Sequence, residues 1–204
     1  MKSLLAAMVF AASAPVFAGT PFLVDFENSW DYDAAVDNTY SPLGVTFTNV
    51  LGLSNNDGLG SLPNGDYFAG APSPLGVGFV QLDGVVNTSA YMNVASGVDH
   101  GLSFYYSSPI AVAGAINVYS GLNGSGALLG SFSLAATDAD YSVWKSVTLN
   151  FNGTARSFDL TGAANVVGLD NISAVPEPES YAMLLMGLGL VGAAARRRNS
   201  KTSA

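Results

Sequence analysis

The 204-residue chain has no cysteine, one histidine and few cations. Without cysteine there is no disulfide, no thiol nucleophile and no zinc site built on thiolate. The one histidine, His100, stands in "VDHGLSF". Asp99 beside it points to the opposite face of an extended segment, so the pair does not read as an oriented catalytic dyad. No GxSxG is present. Residues 19–175 hold only two cations, Lys145 and Arg156, against thirteen acids, a net of −11. Such a charge repels phosphate backbones and speaks against nucleic acid as a partner. A glycosidase needs two facing carboxylates; thirteen acids permit such a pair and specify none. Long helix-period stretches and repeats of fixed period are also missing, which argues against solenoids and propellers.

Hydrophobic runs occur only at the two ends. At the start, Lys2 precedes the apolar "LLAAMVFAASA", and Val16 and Ala18 supply the small residues of a cleavage site. That pattern predicts a signal peptide over residues 1–18, cut between Ala18 and Gly19. It implies the export translocon and signal peptidase as partners. At the other end, Pro176, Glu177 and Pro178 precede an apolar run over residues 181–195, and Arg196, Arg197 and Arg198 follow at once. Fifteen residues of helix reach roughly 23 Å, short of the ~30 Å hydrocarbon core. The basic cluster favours the cytoplasmic side. A buried helix with a basic end is the competing reading, but the run has no polar face.

This tail resembles the PEP-CTERM sorting signal of Gram-negative bacteria, a tail sometimes labelled an ice-binding protein C-terminal region. The resemblance spans residues 175–200 and rests on Pro-Glu-Pro, the apolar stretch and the arginines in that order. It implies an exported protein held transiently in the inner membrane by a transmembrane helix, then processed by an exosortase. Release to the cell surface or the medium follows. An ice-binding surface would need a regular threonine array, and only Thr46 and Thr48 form such a pair.

Residues 19–174 are left for one domain, and its pattern is that of strands. Phe22, Val24 and Phe26 alternate with Leu23, Asp25 and Glu27; Val45 and Phe47 with Thr46 and Thr48; Leu102, Phe104 and Tyr106 with Ser103, Tyr105 and Ser107. Ile116 and Val118 extend the pattern, and Val143, Lys145, Val147, Leu149 and Phe151 share a face opposite Trp144. Asn152-Gly153 predicts a two-residue hairpin turn. The segment "AINVYSGLNGSGALLGSFSL" predicts a hairpin with a glycine-rich loop; it lacks the lysine and the helix of a phosphate-binding loop. Short strands between Gly/Asn turns predict an all-β, antiparallel β-sandwich. Trp30, Tyr32 and Tyr40, and Tyr67 and Phe68, fall in loop-like stretches. They read either as platforms for sugar rings or as side chains packing a loop onto the sheet.

"VDFE" near the start, "GVTF" and the closing "VGLDNI" resemble jelly-roll ectodomains found ahead of PEP-CTERM tails, and are similar to jelly-roll carbohydrate-binding modules. The resemblance implies a structural calcium ion between the first and last strands. Glu27 and Asp170 would be ligands, with Asp25 a possible third. Asp31, Asp33 and Asp37 superficially resemble a cation loop but lack its glycine and closing glutamate. Together these features predict an exported surface or matrix protein. They favour a non-catalytic module associated with exopolysaccharide and biofilm; a secreted hydrolase and a purely structural surface protein are the alternatives.

Overall fold

The computed structural model describes residues 21–31, 33–54, 70–139, 141–174 and 186–189. The signal peptide, its Ala18/Gly19 cleavage site, Pro176, Glu177, Pro178 and the arginines at 196–198 lie outside the described residues. Residues 186–189 are helical, and no helix among the described residues is long and apolar enough to cross a membrane.

The domain is an antiparallel β-sandwich. Its strands are β1 (Leu23–Val24), β2 (Val45–Thr48), β3 (Val50–Ser54), β4 (Gly76–Val80), β5 (Tyr91–Ser107), β6 (Val112–Tyr119), β7 (Leu128–Leu134), β8 (Lys145–Asp159) and β9 (Gly168–Ala174). One hydrogen-bonded ladder runs β3-β4-β9-β5-β8-β6-β7, with β1 on β9 and β2 on β5. Two layers arise because the long strands β5 and β8 serve both. The first half of β5 pairs β2 and the end of β8; its second half pairs β9 and the start of β8. Strands that change layers do so at bulges. Residues 94–97 of β5 face only Arg156 of β8, and residues 151–153 of β8 face only His100 of β5. The two bulges lie next to each other and turn the ladder through the corner.

Asn152-Gly153 is therefore not a hairpin turn. The chain keeps its direction through the pair, and β8 stays on β5 at both sides. Gly153 adopts φ +96, and a bulge uses that freedom as readily as a turn does. The predicted strand "PFLVDFE" is also shorter than its pattern: Phe26 adopts φ +53, which ends the extended run.

The alternation otherwise sets the core. Val24, Phe26, Val45, Phe47, Leu102, Phe104, Tyr106, Ile116, Val118, Leu149 and Phe151 are buried in one cluster. The predicted inward face of Val143, Lys145, Val147, Leu149 and Phe151 is shorter than its pattern: Val143, which precedes β8, and Lys145, its first residue, are exposed, Trp144 and Val147 are half-buried, and only Leu149 and Phe151 are buried. Phe26 stacks edge-on against Tyr40 and lies 5.9 Å from Phe47, centroid to centroid. Trp30 and Tyr40 are buried, so these loop aromatics fasten loops to the sheet and are not sugar platforms. Gly52 and Gly78 make room for them: a Cβ there would meet the Trp30 and Phe26 rings. Tyr32, Tyr67 and Phe68 lie outside the described residues.

Candidate functional site

Among the places where polar side chains gather, two bear on the sequence-derived candidates. At the first, the structure brings Asp25, Glu27 and Asp170 around one loop, residues 73–76. β9 presents Asp170 inward, fully buried. Its Oδ2 accepts the Ser73 N–H at 2.8 Å; its Oδ1 accepts the Ser73 hydroxyl and the Asn171 N–H, each at 2.7 Å. Glu27 Oε1 accepts the N–H groups of Leu75 and Gly76 at 2.7 and 3.1 Å. Asp25 Oδ1 accepts the Glu27 N–H and the Tyr40 hydroxyl. Burial, and then the Asp25 charge, raise the Tyr40 phenol above its ordinary pKa.

Burial pushes the Asp170 carboxyl up to about 6, against the lowering effect of its hydrogen bonds. The Ser73 hydroxyl lies within hydrogen-bond distance of two acceptors, Asp170 Oδ1 at 2.7 Å and the Asp25 carbonyl at 2.8 Å.

These residues do not fit a calcium ion. Calcium takes six to eight oxygens with free lone pairs. Here N–H and O–H donors already point at Asp25 Oδ1, Glu27 Oε1 and both oxygens of Asp170. Among the described residues no group of three or more His, Asp or Glu side chains is placed to hold a metal. Asp31, Asp33 and Asp37 are exposed along their loop. The sequence reading missed Ser73. Its signal is local: Pro72 and Pro74 flank it and preset an extended turn.

The second place is a cleft of about 430 Å³ on the outer face of β2 and the first half of β5. Thr46, Thr48, Asn93 and Ala95 form its floor, with Phe47 beneath. One wall is the turn carrying Asn38, Ser41 and Gly44; the other is Leu122 and Asn123 of the β6–β7 loop. That loop folds back onto the sheet. Asn93 and Asn123 exchange hydrogen bonds: the Asn93 side-chain amide donates to Asn123 Oδ1, and the Asn123 backbone N–H donates to Asn93 Oδ1, both at 2.8 Å. Ser157 accepts the Gly124 N–H and donates to the Gly121 carbonyl. The opposite wall is held by the Ala95 N–H on the Gly44 carbonyl and the Phe47 N–H on the Asp37 carbonyl. No lining residue ionises. Amides and hydroxyls that both donate and accept make the cleft suited to a neutral, hydroxyl-rich ligand.

His100 is exposed within the β5 corner at φ +67, and the Thr154 hydroxyl donates to Asp99. His100 lines neither place.

Residues 174–198 match the model of the PEP-CTERM protein-sorting motif. The chain carries that motif, which implies an exported protein with a C-terminal sorting signal and an exosortase as its processing partner. No curated protein matches the chain in sequence. Several solved structures are similar in fold. A family 6 carbohydrate-binding module is 13% identical, covers 80% of this chain and 100% of its own, and scores a TM of 0.43. A family 35 module from Paenibacillus barcinonensis is 14% identical over 78% of this chain and 100% of its own, TM-score 0.39. A family 43 arabinoxylan arabinofuranohydrolase from Bacillus subtilis is 13% identical over 65% of this chain and 25% of its own, TM-score 0.41. Likeness at this level carries no argument about the role or the ligand of this chain.

Proposed function

We propose that the exported domain binds a neutral extracellular polysaccharide without catalysis and acts at the cell surface or in the surrounding matrix. The uncharged cleft over β2 and β5 is the observation that supports this reading. Its volume lies within the ~300–1,000 Å³ of ordinary ligand pockets. Asn38, Ser41, Thr46, Thr48 and Asn93 offer donors and acceptors for sugar hydroxyls, and the exposed Leu122 offers an apolar wall for a C–H face. Neither Lys145 nor Arg156 lines it, and thirteen acids surround it in the sequence. A uronic-acid polymer would meet repulsion with no compensating pair.

A panel of neutral and uronic-acid polysaccharides in affinity electrophoresis tests the reading. Retardation by a neutral polymer alone, without release of sugar, is the expected result. Release of reducing ends would instead favour a secreted hydrolase; retardation by none would favour a purely structural surface protein. For the sorting step, the mature protein should begin at Gly19 and end near Pro-Glu-Pro by intact mass. Glu177→Ala should keep the tail attached and the protein in the inner membrane; normal release of that variant would contradict recognition through the tripeptide.

A further inference from the structure

The edges of the ladder are treated unequally. β3 is an edge strand, but residues 34–36 close it: the Val36 N–H donates to the Val50 carbonyl, and the Gly52 N–H to the Ala34 carbonyl, both at 2.9 Å. The outer edge of β2 is closed by the turn before it, with the Phe47 N–H on the Asp37 carbonyl at 2.8 Å and the Val45 N–H on the Tyr40 carbonyl at 3.2 Å. β1 has only two residues. β7 ends the ladder at the other side, pairs β6 alone, and runs seven residues, "LLGSFSL". Among the described residues no backbone hydrogen bond closes its outer edge.

Open edges are usually guarded by lysine, proline or a short strand, because the bare row of N–H and C=O groups is a template for another strand. β7 has none of these three guards; its ladder with β6 shifts register at Leu129 and again opposite residues 113–115 of β6, and the regular stretch between them is Gly130–Phe132. Moreover, residues 101–137 contain no Asp, Glu, Lys, Arg or His, although residues 19–175 carry a net charge of −11. Two copies of so acidic a domain repel one another over most of their surfaces. The uncharged β6–β7 hairpin is where they can meet without like charges being desolvated.

We infer that β7 is a self-association edge, at which a second copy of this chain pairs its own β7 antiparallel across a two-fold axis. Such an interface is isologous and closes at a dimer. Edge pairing of one short strand buries less than a standard interface of about 800 Å² per partner, so the dimer is reversible and concentration-dependent. The inference rests on the sheet edge and is independent of the ligand of the cleft.

Sedimentation of the full chain in detergent over a hundredfold range of concentration tests it, with each variant compared against wild type so that the common tail cancels. Wild type should pass from monomer to dimer. Ser131→Lys, at an exposed β7 position, should move the midpoint at least tenfold higher in concentration. Thr88→Lys, with the same charge change in the exposed β4–β5 loop, should leave it in place. Far-ultraviolet dichroism and melting should match wild type in both variants; should Ser131→Lys melt early, Leu128→Lys, at the exposed start of β7, takes its place. Amide exchange gives a second readout: β7 amides should become slower to exchange as wild type is concentrated. A monomer at every concentration, a species larger than a dimer, an equal response to Ser131→Lys and Thr88→Lys, or β7 exchange that ignores concentration would each overturn the inference.

Discussion

The cluster of Asp25, Glu27 and Asp170 around Ser73, an acidic clamp on the loop at 73–76, and the neutral cleft are built by the same device, a loop folded onto sheet residues through side-chain hydrogen bonds, yet one is closed and the other open. At the clamp, Asp170 and Glu27 turn their oxygens to the N–H groups of the loop at 73–76, and little is left for a ligand. At the cleft, the Asn93–Asn123 bonds and Ser157 hold the loop from behind, and Thr46, Thr48, Asn38 and Ser41 stay open to solvent. The charged cluster is thus the structural element and the uncharged one the candidate site. Acidic residues near both ends of a domain are a poor guide to a ligand when the backbone around them lacks partners of its own.

Phe26 joins the two regions. Its carbonyl accepts the Trp30 indole N–H beside the clamp, and its ring packs on Phe47 under the cleft. Phe26→Ala should therefore have the largest effect, about 3–5 kcal/mol lost in chemical denaturation, since a large buried ring leaves a cavity. A loss confined to either region, with the other unchanged, would separate what the structure joins.

Ser73→Ala breaks only the clamp. It removes the hydroxyl that donates to the buried Asp170 carboxylate, for a loss of about 1–3 kcal/mol. Glycan binding should be unchanged; loss of both would mean that the regions are coupled. The pH profile sharpens the same point. Asp170 has a folded pKa of about 6, above the ~3.9 of an unfolded aspartate. Its contribution is fully present below about pH 4 and is lost as pH rises through about 6. Stability should fall across that window, and Asp170→Asn should flatten the fall. A wild-type curve that rises from pH 4 to 6 with a slope removed by Asp170→Asn would reverse the assignment. Melting should also be the same in EDTA and in millimolar calcium, since the clamp closes on hydrogen bonds.

Gly153→Ala tests the corner. With φ near +96, alanine should cost about 1 kcal/mol or more. Ser103→Ala, on the face opposite the buried Phe104, gives up two long side-chain hydrogen bonds and should cost less than about 1 kcal/mol. Equal losses at Ser103 and Phe104 would mean that the strand register is wrong.

Much of the sandwich was legible because alternation is a direct record of burial: Val45 and Phe47 against Thr46 and Thr48, Phe104 against Tyr105. The corner was not, because Asn152-Gly153 carries the same conformational freedom whether the chain reverses or bulges. Only the pairing of β8 with β5 on both sides distinguishes them. Asp170 and Glu27 were legible as a meeting of the two chain ends, but their partner was not, since Ser73 lies 97 residues from Asp170 in sequence. The cleft was only half visible. Thr46 and Thr48 showed an outward polar face, whereas the Asn123 wall depends on a glycine-rich loop folding back, which strand patterns do not record.

Titration calorimetry with the neutral polysaccharide that retards the protein most tests the central claim most directly. The pair Thr46→Val and Asn38→Ala removes one hydroxyl from the floor and one amide from a wall of the cleft and leaves the loop hydrogen bonds intact. The account predicts at least a tenfold weaker affinity, about 1.4 kcal/mol, at an unchanged melting temperature. Equal affinity in wild type and variant would place the ligand elsewhere and contradict it.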